Sequence, residues 1–195
     1  MDIAPTPTRG KLIEAAGRVF LAQGYEAASM DLVRAEAGVS NGSLYHHFPS
    51  KAHLAGALYE HTLRDFHQAL LKPVSGKVRA EAGVRGLVRA YVRWVLQHPD
   101  RAKLLHRLRH SGEMAGLESA WAAPNQEAYG ALCAWIEQMI AAKEMRRLPF
   151  PLWMALVFSP AMALTPTWVN QARPSVPPAV RAALEDAAWR AVAPT

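Results

Sequence analysis

The sequence has one cysteine, Cys133, in 195 residues. A lone thiol closes no internal disulfide and builds no Cys-based zinc cage within one chain. A reducing cytoplasm is the simplest setting for it. Strand signals are nearly absent, and no repeat is found. No run of about 18 uncharged apolar residues marks a clear membrane span. The nearest approach, residues 148–169, is punctuated by Pro149, Pro151, Pro160 and Pro166, so a buried helix is expected there and no membrane partner. The opening MDIAPTPTRG lacks the apolar core of a secretory signal. Also missing are a convergent Ser/His/Asp spacing, a phosphate-binding glycine loop and a metal-ligand spacing. No catalytic residue, metal or cofactor is therefore assigned, and no enzyme is expected.

What remains is apolar and basic. Hydrophobic residues make up 51%, enough to bury a core, and the formal charge of +6 with a pI near 9.8 points toward nucleic acid. The charge is unevenly spread. Residues 1–71 hold six Lys/Arg against seven Asp/Glu, a net of −1, whereas residues 72–109 hold ten basic residues against Glu81 and Asp100. Nucleic-acid recognition by the first segment must rest on pattern rather than gross charge.

Helical signals dominate. Leu12, Ala15, Ala16, Val19 and Phe20 recur at the spacing of one helix face. Thr8 can cap that helix, and Gly24 can end it in the left-handed conformation. Ser29 caps a short helix over 30–37, stopped by Gly38. Ser40 caps another over 41–47, and Ser50 caps a longer one from Lys51 toward Leu71. Further helices are expected over about 80–97, 100–110, 117–143 (broken near Pro124), 151–171 and 177–192. The chain reads as all-α, with an N-terminal domain over 1–50 and a larger helical domain over 51–195. The helix from 51 to about 71 connects the two.

Two short helices separated by Gly38-Val39-Ser40 make a helix-turn-helix candidate. Gly38 permits the tight turn, and Val39 tucks into a small core. Ser40, Asn41, Gly42 and Ser43 keep the start of the second helix slim enough for a major groove. Leu44 and Phe48, four apart, face inward, leaving Tyr45, His46 and His47 mostly outward. Adjacent residues on a helix point about 100° apart, so the two histidines suit a shared metal poorly and suit a DNA-facing or solvated surface better.

The stretch AASMDLVRAEAGVSNGSLYHHFPSKAHLAGALYE resembles the DNA-binding segment of the tetracycline-repressor (TetR) family of bacterial regulators. The resemblance rests on Gly38-Val39-Ser40, Gly42-Ser43-Leu44-Tyr45, His47-Phe48, Lys51 and Leu54, with Ala15, Ala16, Phe20, Gly24 and Tyr25 upstream. It covers about residues 10–60. It implies that Asn41, Gly42 and Ser43 approach base edges, and that Tyr45 and His47, with His46 beside them, meet phosphate or thymine methyls. Ser29, Ser40 and Lys51 match backbone-phosphate positions. One position departs: the family usually places alanine four residues before the turn glycine, where Arg34 stands. Either its stem snorkels outward or Ala35 takes the close contact by a small helix rotation. The resemblance further implies a homodimer through the last two helices, a palindromic DNA operator, and a cytoplasmic repressor released by a small molecule. An activator or an effector-independent regulator is the alternative.

Trp94, Met114, Trp121, Trp135, Met139, Trp153, Phe158 and Met162 read either as ordinary core or as an adaptable pocket for an apolar or amphipathic effector. Pro160 and Pro166 would kink their helix and shape a pocket wall. Arg85, Arg89 and Arg93 form a stripe at four-residue spacing. With the basic segment 101–110, they read as a solvated face, a source of long-range attraction to DNA, or an anion site.

Overall fold

The computed structural model describes residues 7–110 and 119–194. Among them the chain is helical without strands. The helices are α1 (Pro7–Gln23), α2 (Met30–Ala37), α3 (Asn41–His47), α4 (Lys51–Leu71), α5 (Ala80–Gln97), α6 (Pro99–His110), α7 (Ser119–Ala141), α8 (Phe150–Val169) and α9 (Pro178–Val192). A single 3-10 turn, Lys72–Val74, follows α4. The described residues fall into two compact units, one drawn from Met1–Arg64 and Leu104–Ala123, the other from Asp65–Lys103 and Pro124–Thr195.

In the first unit the periodic face of α1 is buried as its spacing predicts: Leu12, Ala15, Ala16, Val19 and Phe20 are all inside, joined by Ile13. Thr8 is not the cap; the helix already includes Pro7, a residue suited to a first helical position. Gly24 closes α1 at φ 80°. Gly38 takes φ 66°, and the Gly38 and Val39 amides donate to the Ala35 and Arg34 carbonyls. A side chain at Gly38 would meet nothing within 4 Å, so only backbone strain opposes one. Gly38→Ala is expected to cost about 1–2 kcal/mol in urea denaturation. Gly38→Asn should cost less, because asparagine tolerates the left-handed region.

The second unit is built around α5, which packs against α8, α9 and the 3-10 turn. Its Val84, Leu87, Val88, Tyr91, Val92, Trp94 and Val95 are buried. Two glycines let neighbours approach its backbone: a Cβ at Gly83 would lie 2.3 Å from Trp135, and one at Gly86 would lie 2.7 Å from Pro73. Tyr91 shares a 2.6 Å hydrogen bond with Thr165 of α8. Burial raises its phenol above the ordinary value.

The prolines do less than their count suggests. Pro124 lies inside α7 without breaking it, and Pro160 and Pro166 lie inside a continuous α8. The last two are exposed, so their missing N–H groups fall on the outer side of the helix. The expectation of a buried α8 holds on one face only. Trp153, Val157, Phe158, Ala161, Trp168 and Val169 are inside, but Leu152, Met162 and Leu164 are exposed. By length and composition α8 could cross a membrane, with mean hydropathy 1.4 and a third of its window buried.

Candidate nucleic-acid interface

The helix-turn-helix candidate takes the expected local form. The Ser29 hydroxyl oxygen accepts from the Leu32 amide and the Ser40 oxygen from the Ser43 amide, both at 3.2 Å. Each serine caps its helix and keeps its own O–H free to donate elsewhere. Leu44 and Phe48 are 0% and 3% exposed, which fixes the rotation of α3. That rotation leaves Asn41, Gly42, Tyr45 and His46 exposed, with Ser43 and His47 half-buried. Tyr45 is 47% exposed, an uncommon degree for so large a ring. The His46 and His47 rings sit edge-on, 5.2 Å between centroids. Arg34 resolves its departure by snorkelling: its guanidinium lies 3.6 Å from Asp31 while Ala35 stays exposed, so α2 has not rotated.

Arg18 of α1 pairs with Glu36 of α2 at 2.6 Å. Arg9 lies over the Phe48 ring at 5.4 Å, so both flanks of the motif are tied to α1.

Lys51, which the resemblance implies as a phosphate position, is held by the loop after α1. Its ammonium donates to three backbone carbonyls, those of Tyr25, Glu26 and Ala28, at 2.9, 3.0 and 3.1 Å. It also sits 4.5 Å from the Tyr25 ring centroid. An ammonium has three N–H donors, enough for all three carbonyls.

In the second unit Trp94, Phe158 and Trp153, three of the residues read as core or pocket, are linked through Phe66 and Tyr91 by ring contacts. Trp94 is buried, donates to Asp65 at 3.0 Å and meets the Phe66 ring edge-on at 4.9 Å. Arg101 holds the same carboxylate at 3.0 Å. Trp153 and Phe158 are buried neighbours, 6.3 Å between ring centroids, and the Trp153 N–H faces the Met145 sulfur. Trp135 is buried, with its N–H unpaired among the described residues. Met139 is half-buried. Met162 does not join them; it is 47% exposed, because α8 turns the face bearing Phe158 and Ala161 inward. Met114 and the Trp121 side chain lie outside the described residues. Neither described surface pocket of this unit, one of about 510 Å³ floored by Trp189 and one of about 630 Å³ beside Asp65, includes any of these residues.

The arginine stripe is neutralised from α9. Arg89 forks onto Glu185 at 3.1 and 2.5 Å, and Arg85 reaches Asp186 at 3.0 Å and Glu81 at 2.8 Å. These bonds raise both guanidinium pKa values, the Asp186 and Glu185 bonds most. Two of the three arginines thus have carboxylate partners in place of an anionic ligand; Arg93 stays exposed.

Two capped short helices around a left-handed glycine, with a buried Leu44/Phe48 pair and a small polar leading edge, define a helix-turn-helix DNA-binding unit. Residues 12–58 match the family described as bacterial regulatory proteins, tetR family. The chain is similar to the HTH-type transcriptional regulator UidR of Escherichia coli K12, 35% identical over 79 residues that cover 39% of each chain. It is also similar to the HTH-type transcriptional activator FasR of Mycolicibacterium smegmatis, 39% identical over 80 residues, 39% of this chain and 36% of FasR. The match thus spans about two fifths of the length of these curated relatives. The fold extends further: a TetR family transcription regulator from Marinobacter aquaeolei VT8 superimposes with a TM-score of 0.79 over 96% of both chains at 23% identity.

Proposed function

We propose that the protein is a DNA-binding transcriptional regulator that works as a homodimeric repressor on a palindromic operator. The observation that carries this is the exposed polar leading edge of α3 on a helix whose other face is locked by Leu44 and Phe48. Asn41, Gly42 and Ser43 are the base-reading set, since asparagine can pair with adenine in the major groove. Tyr45, His46 and His47 lie along the flank, and the free hydroxyl hydrogens of Ser29 and Ser40 serve neighbouring phosphates. Phosphate contacts set register and base contacts set sequence.

The exposed apolar residues of α8 and α9, Leu152, Met162, Leu164 and Val180, support a second copy as their partner, and so a soluble, cytoplasmic dimer. Repression needs only that the dimer occupy its operator; activation would add a contact to the transcription machinery. Similarity to a relative named as an activator favours activation as the second reading. An apolar or amphipathic effector is the ligand suggested by the buried aromatic side chains of the second unit, among which the Trp135 N–H is unpaired. Such a ligand could shift DNA affinity only by its differential affinity for two conformations.

Selection from a random duplex pool tests the reading. The expected product is an inverted repeat with half-sites about one helical turn, roughly 34–36 Å, apart. A pool that stays unenriched would contradict it.

A further inference from the structure

We propose that His46 and His47 make DNA binding proton-linked, becoming imidazolium as they meet the phosphate backbone, so that the protein grips DNA more tightly as pH falls. This deepens, and rests on, the reading of α3 as the DNA-facing helix.

The pair stands at the outward edge of α3. His46 is exposed and His47 half-buried, with the two rings edge-on and 5.2 Å between centroids. A neutral imidazole has one N–H donor and an imidazolium has two. Protonation therefore adds a donor as well as a charge, opposite phosphate oxygens that only accept. Histidine is the side chain whose charge ordinarily changes between pH 5 and 8. The two charges matter because this segment has no others to spare. Residues 1–71 hold six Lys/Arg against seven Asp/Glu, so two added protons turn a net of −1 into +1.

The neighbouring elements leave that charge for DNA. α3 packs against α1 and α2. Arg9 of α1 lies over the Phe48 ring at 5.4 Å, and that ring is 6.5 Å from His47. Lys11 and Glu14 of the same helix bond neither imidazole. The two carboxylates of α2 are engaged elsewhere, Glu36 with Arg18 and Asp31 with Arg34. At the start of α4, Lys51 is held by backbone carbonyls, and the His53 Nδ1 meets the Ser50 hydroxyl at 2.8 Å. Neither His46 nor His47 has a carboxylate partner among the described residues, so a bound phosphate is the anion that would stabilise their protonated forms. The state that binds more protons is favoured by acid; here that state is the complex, and affinity rises as pH falls.

The test measures affinity for the selected duplex by fluorescence anisotropy from about pH 8 to about pH 6, at about 50 and 200 mM salt. Wild type is compared with His46→Gln, His47→Gln, the double variant, and His61→Gln, which changes another exposed histidine on α4. Circular dichroism checks folding at each pH. Wild-type affinity is expected to rise about tenfold from pH 8 to pH 6. The slope of log K against log salt should steepen at pH 6 by up to about 0.9 for each proton taken up. Each single substitution removes part of the gain, the double substitution leaves affinity flat, and His61→Gln keeps the wild-type profile. Should His47→Gln not fold, His46→Gln still decides, because an unchanged profile there overturns the pair. Wild-type affinity that is measurable but flat across this range would overturn the proposal, as would a double variant that keeps the wild-type profile. Wild-type protein that binds no duplex at either pH would instead overturn the DNA reading beneath it.

Discussion

Leu44→Ala is expected to destabilise the protein by about 2–5 kcal/mol, the range for emptying a fully buried leucine site. DNA binding should be lost with it. Leu44 is 0% exposed, in a unit whose core is small: one face of α1, Val33 of α2, the Leu44/Phe48 pair, and Leu54, Ala55 and Leu58 of α4. Small cores have little stability to spare. The same side chain sets the rotation of α3, so any folded fraction would present Asn41 and Tyr45 at the wrong angle. Chemical denaturation followed by circular dichroism reads the first effect and anisotropy on labelled duplex the second. Wild-type affinity in a destabilised variant would mean that the α3 surface is not what binds DNA.

The second large effect lies in the second unit. Gly83→Ala would place a methyl 2.3 Å from one ring carbon of Trp135 and 2.7 Å from another. Both elements are constrained: Gly83 lies within α5, and Trp135 is 4% exposed, so neither yields easily. Overpacking of this kind costs about 1–3 kcal/mol and sometimes more, and the severity of the overlap puts Gly83→Ala at the upper end. The diagnosis can be checked by a cycle. Trp135→Leu removes the clashing ring, so Gly83→Ala should cost much less in that background, a coupling expected only of touching residues. Equal costs in both backgrounds would show that the ring is not the obstacle.

What the sequence makes legible follows from the range of the interactions. The buried face of α1 is readable because its five apolar positions repeat within a single helix. The caps at Ser29 and Ser40 are readable because a serine and the amide it accepts from are three residues apart. The inward Leu44 and Phe48 and the left-handed Gly38 are equally local. The intrachain seat of Lys51 is not legible because its partners are backbone carbonyls 23 to 26 residues away, and no side-chain pattern marks a carbonyl as an acceptor. The Arg85/Arg89 stripe is visible, as is Glu81 four residues before Arg85, but Glu185 and Asp186 arrive from α9, 96 residues further on for Arg89 and Glu185. Nothing near Arg89 in the sequence marks Glu185 as its partner. Gly83 shows no pattern at all, because its role exists only once α5 and Trp135 meet. The outward turn of Met162 is likewise set by which face of α8 the rest of its unit covers.

The central claim is that the exposed edge of α3 reads DNA sequence. It is tested most directly by comparing wild type with Asn41→Ala on the selected duplex and on a scrambled one. Asn41 is exposed, so the variant should fold as wild type does. The expected result is a wild-type preference of about a thousandfold or more for the selected duplex. In the variant that preference should shrink by about 1–3 kcal/mol, with the salt dependence unchanged because no phosphate contact is removed. A variant that discriminates as sharply as wild type would contradict the account.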